Sequence, residues 1–309
     1  MAKGRVTVTA RPPKKMRSKA IPLRERALPV ALVLAATLLL WYGGAVGLNR
    51  AGAVERVLAP MGAYSTGQLI TATLNMERPV LPAPHQVVVD LVRSLVDWPL
   101  DSPRNLLYHA AVTAQSTLVG FVLGTLLGIA LAAAIVHSRT LDRALLPWIV
   151  ASQTVPVLAI APIVLVILGS LGFSGVAPKA AIAMYLCFFP VTVAMVAGLR
   201  APQRIETELM HTYAASRLQA FWLLRMPSAL PFLVPSLRVA IAAGLVGAMV
   251  AELPTGAQAG LGAKLLTGSY YGNTVGIWSA LVMSALLGLG LTAAVAAVER
   301  WVLQTRRAA

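Results

Sequence analysis

"ASRLQAFWLLRMPSALPFLVPSLR", residues 215–238, separates two long apolar segments of a 309-residue chain. It contains three arginines and three prolines, so it does not read as a simple membrane-crossing helix. Its role depends on the segments around it.

The composition of the whole chain is that of a polytopic membrane protein. Only 12% of the residues are charged, 58% are hydrophobic, and the mean hydropathy is +0.75. A soluble domain carries about 25% charged residues. The single cysteine, Cys187, excludes an intramolecular disulfide, and we expect it to pack as a small buried hydrophobe.

Long uncharged intervals predict an all-α integral membrane protein with six transmembrane helices, because about 20 apolar residues cross the bilayer core. The predicted spans are 28–48, 110–136, a third within 144–178, 180–199, 232–252 and a last one that starts near residue 276. Turn signals in SLGFSGVAP, residues 170–178, end the third. The fifth includes Arg238, whose side chain is expected to snorkel toward the cytosol.

Most Lys and Arg residues fall on one side of this arrangement, which the positive-inside rule assigns to the cytoplasm, together with both termini. The predicted organisation is a basic cytoplasmic tail (1–27), a first transmembrane helix (28–48), an extracytoplasmic segment (49–109), a core of five transmembrane helices (110–298) with a cytoplasmic loop (200–230), and a second cytoplasmic tail (299–309). The basic tail is expected to contact anionic membrane lipid, and no nucleic-acid-binding fold is recognisable in it. A cleaved signal peptide is the alternative for the first span, although its apolar region would be about 7–15 residues long.

The extracytoplasmic segment contains one amphipathic stretch. In LPAPHQVVVDLVRSLVDWPL, residues 81–100, apolar residues recur at helical spacing with charges between them. This pattern predicts a helix along the outer membrane interface that ends at Pro99. A cap over the outer helix ends is the alternative.

Small residues and prolines mark the membrane core. One face of the second span has a row of glycines, Gly120, Gly124 and Gly128, where no side chain covers the backbone. Another helix of this chain or of a second copy can approach closely there. Pro156 and Pro162 are expected to kink the third span. Kinked spans either line a transport pathway or are simply absorbed by neighbouring helices.

No catalytic set is recognisable. The chain lacks a phosphate-binding GxxxxGK[ST] loop and an HExxH motif, and its four histidines are scattered without metal-ligand spacing. The predicted spans also lack the ionisable residues that an ion-driven carrier needs. Glu252, at the outer end of the fifth span, is the exception: it pairs with Lys264, caps a turn, or lines an outer gate.

The loop that precedes the fifth span has a helical hairpin pattern. Leu209, Met210 and Tyr213 lie on one side of a first short helix. Ser216 and Gln219 have the spacing of a capping box, which starts a second helix that is expected to stop before Pro227. Such a hairpin either rests on the membrane surface or serves as a rigid docking element.

This loop resembles the EAA motif of binding-protein-dependent ABC importer permeases. The matching residues are Glu208, Leu209 and Met210 for the EAA triplet, Ala214 for the motif's glycine, Ala215, Ser216 and Arg217 for the residues after it, Phe221 for the aromatic, and Pro227 within the closing RMPSALPFLVPSLR. Further segments, among them GFVLGTLLGIALAAAI, QTVPVLAIAPIVLVILG and the outer GLG at 260–262, are similar to the nitrate, sulfonate and taurine branch. The resemblance covers the chain from residue 81 onward, whereas residues 49–80 exceed the family's usual link.

The resemblance implies a type I permease bundle of the MetI-like kind. It further implies a multi-pass protein of the bacterial inner membrane, two copies of which join two ABC ATPase subunits and receive solute from a periplasmic binding protein. ATP and Mg would bind to the ATPase, and this non-catalytic chain would bind no cofactor and no metal. The solute would be sulfonate-, taurine- or nitrate-like, or a pyrimidine or vitamin precursor.

Two other classes of function remain open on the sequence. A self-sufficient secondary carrier or channel is the first alternative, and a membrane enzyme is a distant second.

Ala214 departs from the family pattern. Glycine adopts a left-handed turn at little cost, whereas another L-residue there pays about 1 kcal/mol. The alanine therefore predicts either a strained turn or a more helical one.

Overall fold

The computed structural model describes residues 23–254 and 259–308, and every regular element among them is helical. Residues 1–22 of the basic tail lie outside the described residues. The helices are α1 (Leu23–Ala53), α2 (Thr66–Leu74), α3 (Pro84–Val96), α4 (Leu106–His137), α5 (Arg139–Ala151), α6 (Val157–Ser170), α7 (Val176–Leu199), α8 (Arg204–Thr212), α9 (Arg217–Ala220), α10 (Met226–Glu252), α11 (Leu261–Tyr270) and α12 (Thr274–Ala308).

The lengths and hydropathies of the helices agree with the predicted membrane protein. Five helices of the described residues are long and apolar enough to cross a membrane, and a sixth span results if the bent pair α5–α6 is counted as one. The third predicted span differs from expectation, because α5 and α6 meet at 105°. Pro156, which is the N-cap of α6, lacks a backbone N–H and holds the preceding Val155 in an extended conformation. It therefore breaks the helix, whereas Pro162 lies inside α6.

The centre of the bundle consists of α4, α7 and α10, with α7 between the other two. A Cβ atom at Gly124 of α4 would lie 2.8 Å from the carbonyl oxygen of Met184 on α7, and one at Gly128 would lie 2.9 Å from that of Phe188. On the opposite side, a Cβ atom at Gly247 of α10 would lie 3.0 Å from Ala183 Cα. The glycine row of the second span therefore packs against a helix of the same chain, as one of the two interpretations expected.

The first helix is attached through its outer half. Asn49, of which 1% is exposed, donates to the Leu81 carbonyl at 2.8 Å and accepts from the Val80 N–H at 2.7 Å. Trp41 donates to the Pro82 carbonyl at 3.0 Å and packs against Trp278 of α12. The large apolar side chains of the inner half, from residue 28 to 40, are exposed.

The predicted amphipathic helix is present as α3, although it ends at Val96, before Pro99. It buries Val87, whose carbonyl accepts a hydrogen bond from Ser279 of α12, and it exposes Val88 and Val92. The helix thus packs on the outer end of α12 with one face and leaves the other free.

The prediction that the second loop helix stops before Pro227 is wrong. A π turn, Phe221–Arg225, joins α9 to α10, and Pro227 lies in the first turn of α10. The helix continues through Pro227 because the π turn before it, in which the Met226 N–H donates to the Phe221 carbonyl, already departs from the i→i−4 pattern that a proline disrupts. Residues Arg217–Glu252 thus form one continuous 36-residue helical segment, which we call the rod. Arg238, expected to snorkel, pairs with Glu299 of α12.

Candidate functional site

The α8–α9 hairpin and the π turn after it contain every residue that the sequence assigned to a docking motif except Pro227, which lies in the first turn of α10. Its turn is strained. Ala214 has φ of 52°, and it is the only residue other than glycine with a positive φ among those described. The Ala215 N–H donates to the Met210 carbonyl and the Ala214 N–H to that of His211, the paired bonds of a Schellman motif. Of the two outcomes expected for this alanine, the strained turn is observed.

The second helix of the hairpin starts where its capping box predicts. The Gln219 N–H donates to Ser216 Oγ at 3.2 Å, and the Ser216 N–H donates to Gln219 Oε1 at 2.8 Å. Arg217 follows as the first helical residue. This reciprocal capping fixes the angle at which α9 leaves the turn.

The hairpin and the π turn after it carry six large apolar side chains that are exposed in the described structure. Leu209 is 55% exposed and Tyr213 is 78% exposed, one helical turn apart on α8. The other exposed members are Ile205, Leu218, Trp222 and Leu223. We call these six residues the apolar hairpin patch. A group of exposed large apolar side chains on one element is typical of a binding site for another protein or a membrane.

Phe221 packs against α4. Only 9% of it is exposed, and its ring packs edge-on against His137, the last residue of α4, with 4.9 Å between ring centroids. A cleft of about 350 Å³ between the hairpin and α4 is lined by Met210, His211 and Arg217 among others. Phe221 thus holds the hairpin on the membrane bundle. Glu208 is exposed and pairs with Arg204 at 2.7 Å on the same helix.

A second cluster lies at the other end of α10, where Glu252 is fully buried. Its carboxylate accepts from Thr113 Oγ1 of α4 at 3.0 Å and from the Gly262 N–H of α11 at 2.8 Å. Lys179 of α7 lies 3.5 Å from it. Lys179 also donates to the Ala259 carbonyl at 2.8 Å.

The predicted pairing of Glu252 with Lys264 is wrong. The Lys264 ammonium group donates instead to the Pro103 carbonyl at 3.4 Å. Desolvation by burial lowers the pKa of Lys264, against the neighbouring Asp90. Glu252 pairs with Lys179 instead, because the first turn of α7 packs beside the end of α10.

Three consecutive N–H groups at the start of α11 are each bound by a side chain from another helix. His109 Nδ1 accepts from Gly260 at 3.0 Å, Thr113 Oγ1 from Leu261 at 2.9 Å, and Glu252 from Gly262. A helix start leaves such donors without intrahelical acceptors. The cap interpretation of Glu252 therefore agrees with its geometry. We call His109, Thr113, Lys179, Glu252 and these three N–H groups the outer polar cluster.

The cluster also explains the GLG segment. Gly260 has φ of 131°, and a Cβ atom there would overlap the Glu252 carboxylate. His109 is buried, and its Nε2–H donates to the Pro103 carbonyl at 2.8 Å. Sequence reasoning missed Lys179 and Thr113. The GLG segment was the available signal, because glycines at a helix start permit close approach of a side chain.

Pro156 and Pro162 lie apart from both clusters. They are exposed on α6, as are Leu158, Ile163 and Val166 around them. A groove of about 320 Å³ with an almost wholly apolar lining runs between α6 and α7. The outward face of α6 is thus apolar surface that no described helix covers.

Comparison with known proteins gives one family. Residues 124–304 match the family of binding-protein-dependent transport system inner membrane components. The formylaminopyrimidine transport permease protein ThiX of Halalkalibacterium halodurans is 32% identical over 241 residues, which are 77% of this chain and 90% of that protein. The riboflavin transport system permease protein RibX of Chloroflexus aurantiacus is 30% identical over 203 residues, 66% of this chain and 74% of the relative.

The taurine transport system permease protein TauC of Escherichia coli is 27% identical over 234 residues, 74% of this chain and 83% of the relative. Together with the helical bundle and the EAA-like hairpin, these matches confirm the predicted resemblance and the MetI-like type I fold. The chain belongs to the binding-protein-dependent transport system inner membrane components, the non-catalytic, multi-pass permease subunits of ABC importers, which work with an ATPase and a substrate-binding protein.

Proposed function

We propose that this chain conducts a small solute into the cytoplasm when an ABC ATPase that is bound to its α8–α9 hairpin hydrolyses ATP. The observation that carries the proposal is the apolar hairpin patch. Each of its six residues is at least 55% exposed, whereas Phe221 is buried and fixes the same hairpin to α4. A docking element needs both properties: a free apolar face for its partner and a firm attachment to the helices that it moves.

The orientation follows from the charges. With the hairpin in the cytoplasm, most of the chain's Lys and Arg residues are on the inner side, as the positive-inside rule requires. Both termini are then cytoplasmic, and α2, α3 and α11 are extracytoplasmic. The membrane is the bacterial inner membrane, where the ATPase has access to ATP and a periplasmic binding protein to the other face.

We propose a pair of permease copies with the pathway between them. Within one chain, α4, α7 and α10 approach so closely at Gly124 and Gly247 that no solute can pass between them. The uncovered apolar face of α6, with Pro156 and Pro162, is the surface available for a second copy or for the pathway. Two copies would present two hairpins and thus engage two ATPase subunits.

The solute is proposed to be sulfonate-, taurine- or nitrate-like, or a pyrimidine or vitamin precursor. The names of relatives, which include formylaminopyrimidine, riboflavin and taurine, support part of this range, and the sequence resemblance supplies the rest. In such systems the binding protein does much of the selection. Calorimetric titration of these compounds into the binding protein that works with this chain would narrow the class.

Leu209→Asp tests the docking role. A carboxylate in the centre of the apolar hairpin patch would be desolvated on docking, at a cost of at least about 2 kcal/mol. We therefore expect the ATPase to be lost on co-purification in detergent and ATP-driven uptake into proteoliposomes to fall at least about tenfold.

Leu100→Asp is the matched control, because Leu100 is 68% exposed in an outer loop and should tolerate the same change. Unchanged ATPase binding by Leu209→Asp would overturn the docking role. Uptake driven by an ion gradient without nucleotide would favour a secondary carrier instead.

A further inference from the structure

Lys179 lies near the N-terminal end of a helix, where the helix dipole disfavours a cation. It lies in the first turn of α7, which begins at Val176, and only 7% of the residue is exposed. The N-terminal end of a helix carries a partial positive charge, so an ammonium group there is repelled as well as desolvated. This placement is unfavourable for α7 itself, and the contacts of Lys179 with Glu252 and with the Ala259 carbonyl in the outer polar cluster compensate for it.

The outer polar cluster joins helices that elsewhere touch through bare backbone and apolar side chains. Thr113 of α4, Lys179 of α7 and Glu252 of α10 meet there, and all three contact each other or the start of α11. Buried ion pairs add little stability over apolar replacements, and their best-attested use is to fix a register or a switch. The cluster is therefore better explained by control of α11 than by bundle stability.

The cluster also lies at the end of the rod that starts in the hairpin. Residues Arg217–Glu252 are continuous helix, with Phe221 near one end and Glu252 at the other. Any displacement of the hairpin that tilts or rotates this rod moves the Glu252 carboxylate relative to α4 and α7. Hydrogen bonds of 2.8 to 3.1 Å do not survive such a shift unchanged.

We propose that the outer polar cluster is a latch that holds α11 on the outer ends of α4 and α7 in this conformation and opens when the ATPase moves α10. Thr113 and Lys179 are its positioning residues, since each contacts both the Glu252 carboxylate and the backbone at or just before the start of α11. The proposal rests on the proposed function for the motion that opens the latch.

Hydrogen exchange on the wild-type permease–ATPase complex in nanodiscs tests the latch directly. The N–H groups of Leu261 and Gly262 bond to side chains of the cluster, so their exchange reports whether it is closed. We expect these groups to exchange slowly without nucleotide. After the complex is trapped with ATP and orthovanadate, they should exchange at least about fivefold faster, and fivefold is the lower end of the usual range of coupling between two sites. Equal protection of these groups in both states would overturn the proposal.

Two substitutions at one position provide the second readout. Thr113→Val keeps the shape of the side chain but removes the hydroxyl that donates to Glu252 and accepts from Leu261, whereas Thr113→Ser retains it. We expect Thr113→Val to accelerate exchange at Leu261 without nucleotide and to raise the rate of ATP hydrolysis measured without binding protein. Thr113→Ser should keep both rates at their wild-type values. A purely structural residue would change protein yield but not the hydrolysis rate of the assembled complex.

These outcomes separate the latch from the proposed function. If the ATPase does not assemble with the permease, the proposed function itself fails, and this is seen at purification. If the complex assembles and hydrolyses ATP while the exchange at Leu261 and Gly262 is the same in both states, only the latch is refuted.

Discussion

At the scale of single residues, the turn at Ala214 shows how a local departure from a family pattern is accommodated. The family glycine is replaced by a residue that keeps the left-handed conformation, with both Schellman hydrogen bonds made. Those bonds and the capping box after them hold the alanine in place.

Ala214→Gly is expected to stabilise the permease slightly and to leave ATP-driven uptake intact. Removing the Cβ atom relieves about 1–2 kcal/mol of strain, while the added freedom of glycine in the unfolded chain costs about 0.4–1 kcal/mol. The net gain should appear as a higher midpoint of thermal unfolding in detergent. Ala215→Gly, next to it without a positive φ, is the control and should only destabilise; a lower midpoint for Ala214→Gly would contradict the assignment of strain.

Residues close in sequence were predicted best. The Ser216 and Gln219 capping box depends on four residues and was correct. The Glu252–Lys179 pair was missed because the two residues are 73 positions apart, and the nearer Lys264 was the only cation that the sequence offered beside Glu252. Spacing along one chain segment does not say which distant helix will supply a partner.

At the scale of helices, glycine rows decide how closely α4, α7 and α10 pack. The sequence predicted that the α4 face would be approached, but the identity of the approaching helix depends on the whole arrangement. The course of α10 was misjudged for a related reason. Proline often marks a helix end, but α10 continues through Pro227 and also contains Pro231 and Pro235, and the sequence around Pro227 did not distinguish the two cases.

Gly124→Ala is expected to destabilise the bundle by about 1–3 kcal/mol, the usual cost of overpacking. The new Cβ atom would lie 2.8 Å from a backbone carbonyl of α7, which cannot move away as a flexible side chain could. Gly290→Ala in α12 is the matched control, because a Cβ atom there has open space. The midpoint of thermal unfolding in detergent should fall for the first variant and hold or rise for the second; equal midpoints would show that α4 and α7 are not in close contact.

At the scale of the whole molecule, the rod from Arg217 to Glu252 connects a cytoplasmic docking surface with an outer polar cluster. The number of spans and the outer amphipathic helix were predictable from hydropathy and periodicity. The 105° break between α5 and α6 was not, since composition locates a proline but does not give the angle that tertiary packing imposes on it.

Phe221→Asp is expected to uncouple ATP hydrolysis from uptake while the ATPase stays bound. The aromatic contact with His137 would be lost and the hairpin would no longer move α4, whereas the apolar hairpin patch would remain. Hydrolysis and uptake should be measured on the same proteoliposomes, with Phe221→Leu as the apolar control. Parallel loss of ATPase binding would show instead that Phe221 belongs to the docking surface.

The attachment of α1 through Asn49 and Trp41 at one end only has a consequence for how the protein meets its bilayer. No described helix covers its inner half, so a change in hydrocarbon thickness can be absorbed by a change in the tilt of this helix about its anchored end. The close packing of α4, α7 and α10 at their glycines does not depend on that tilt.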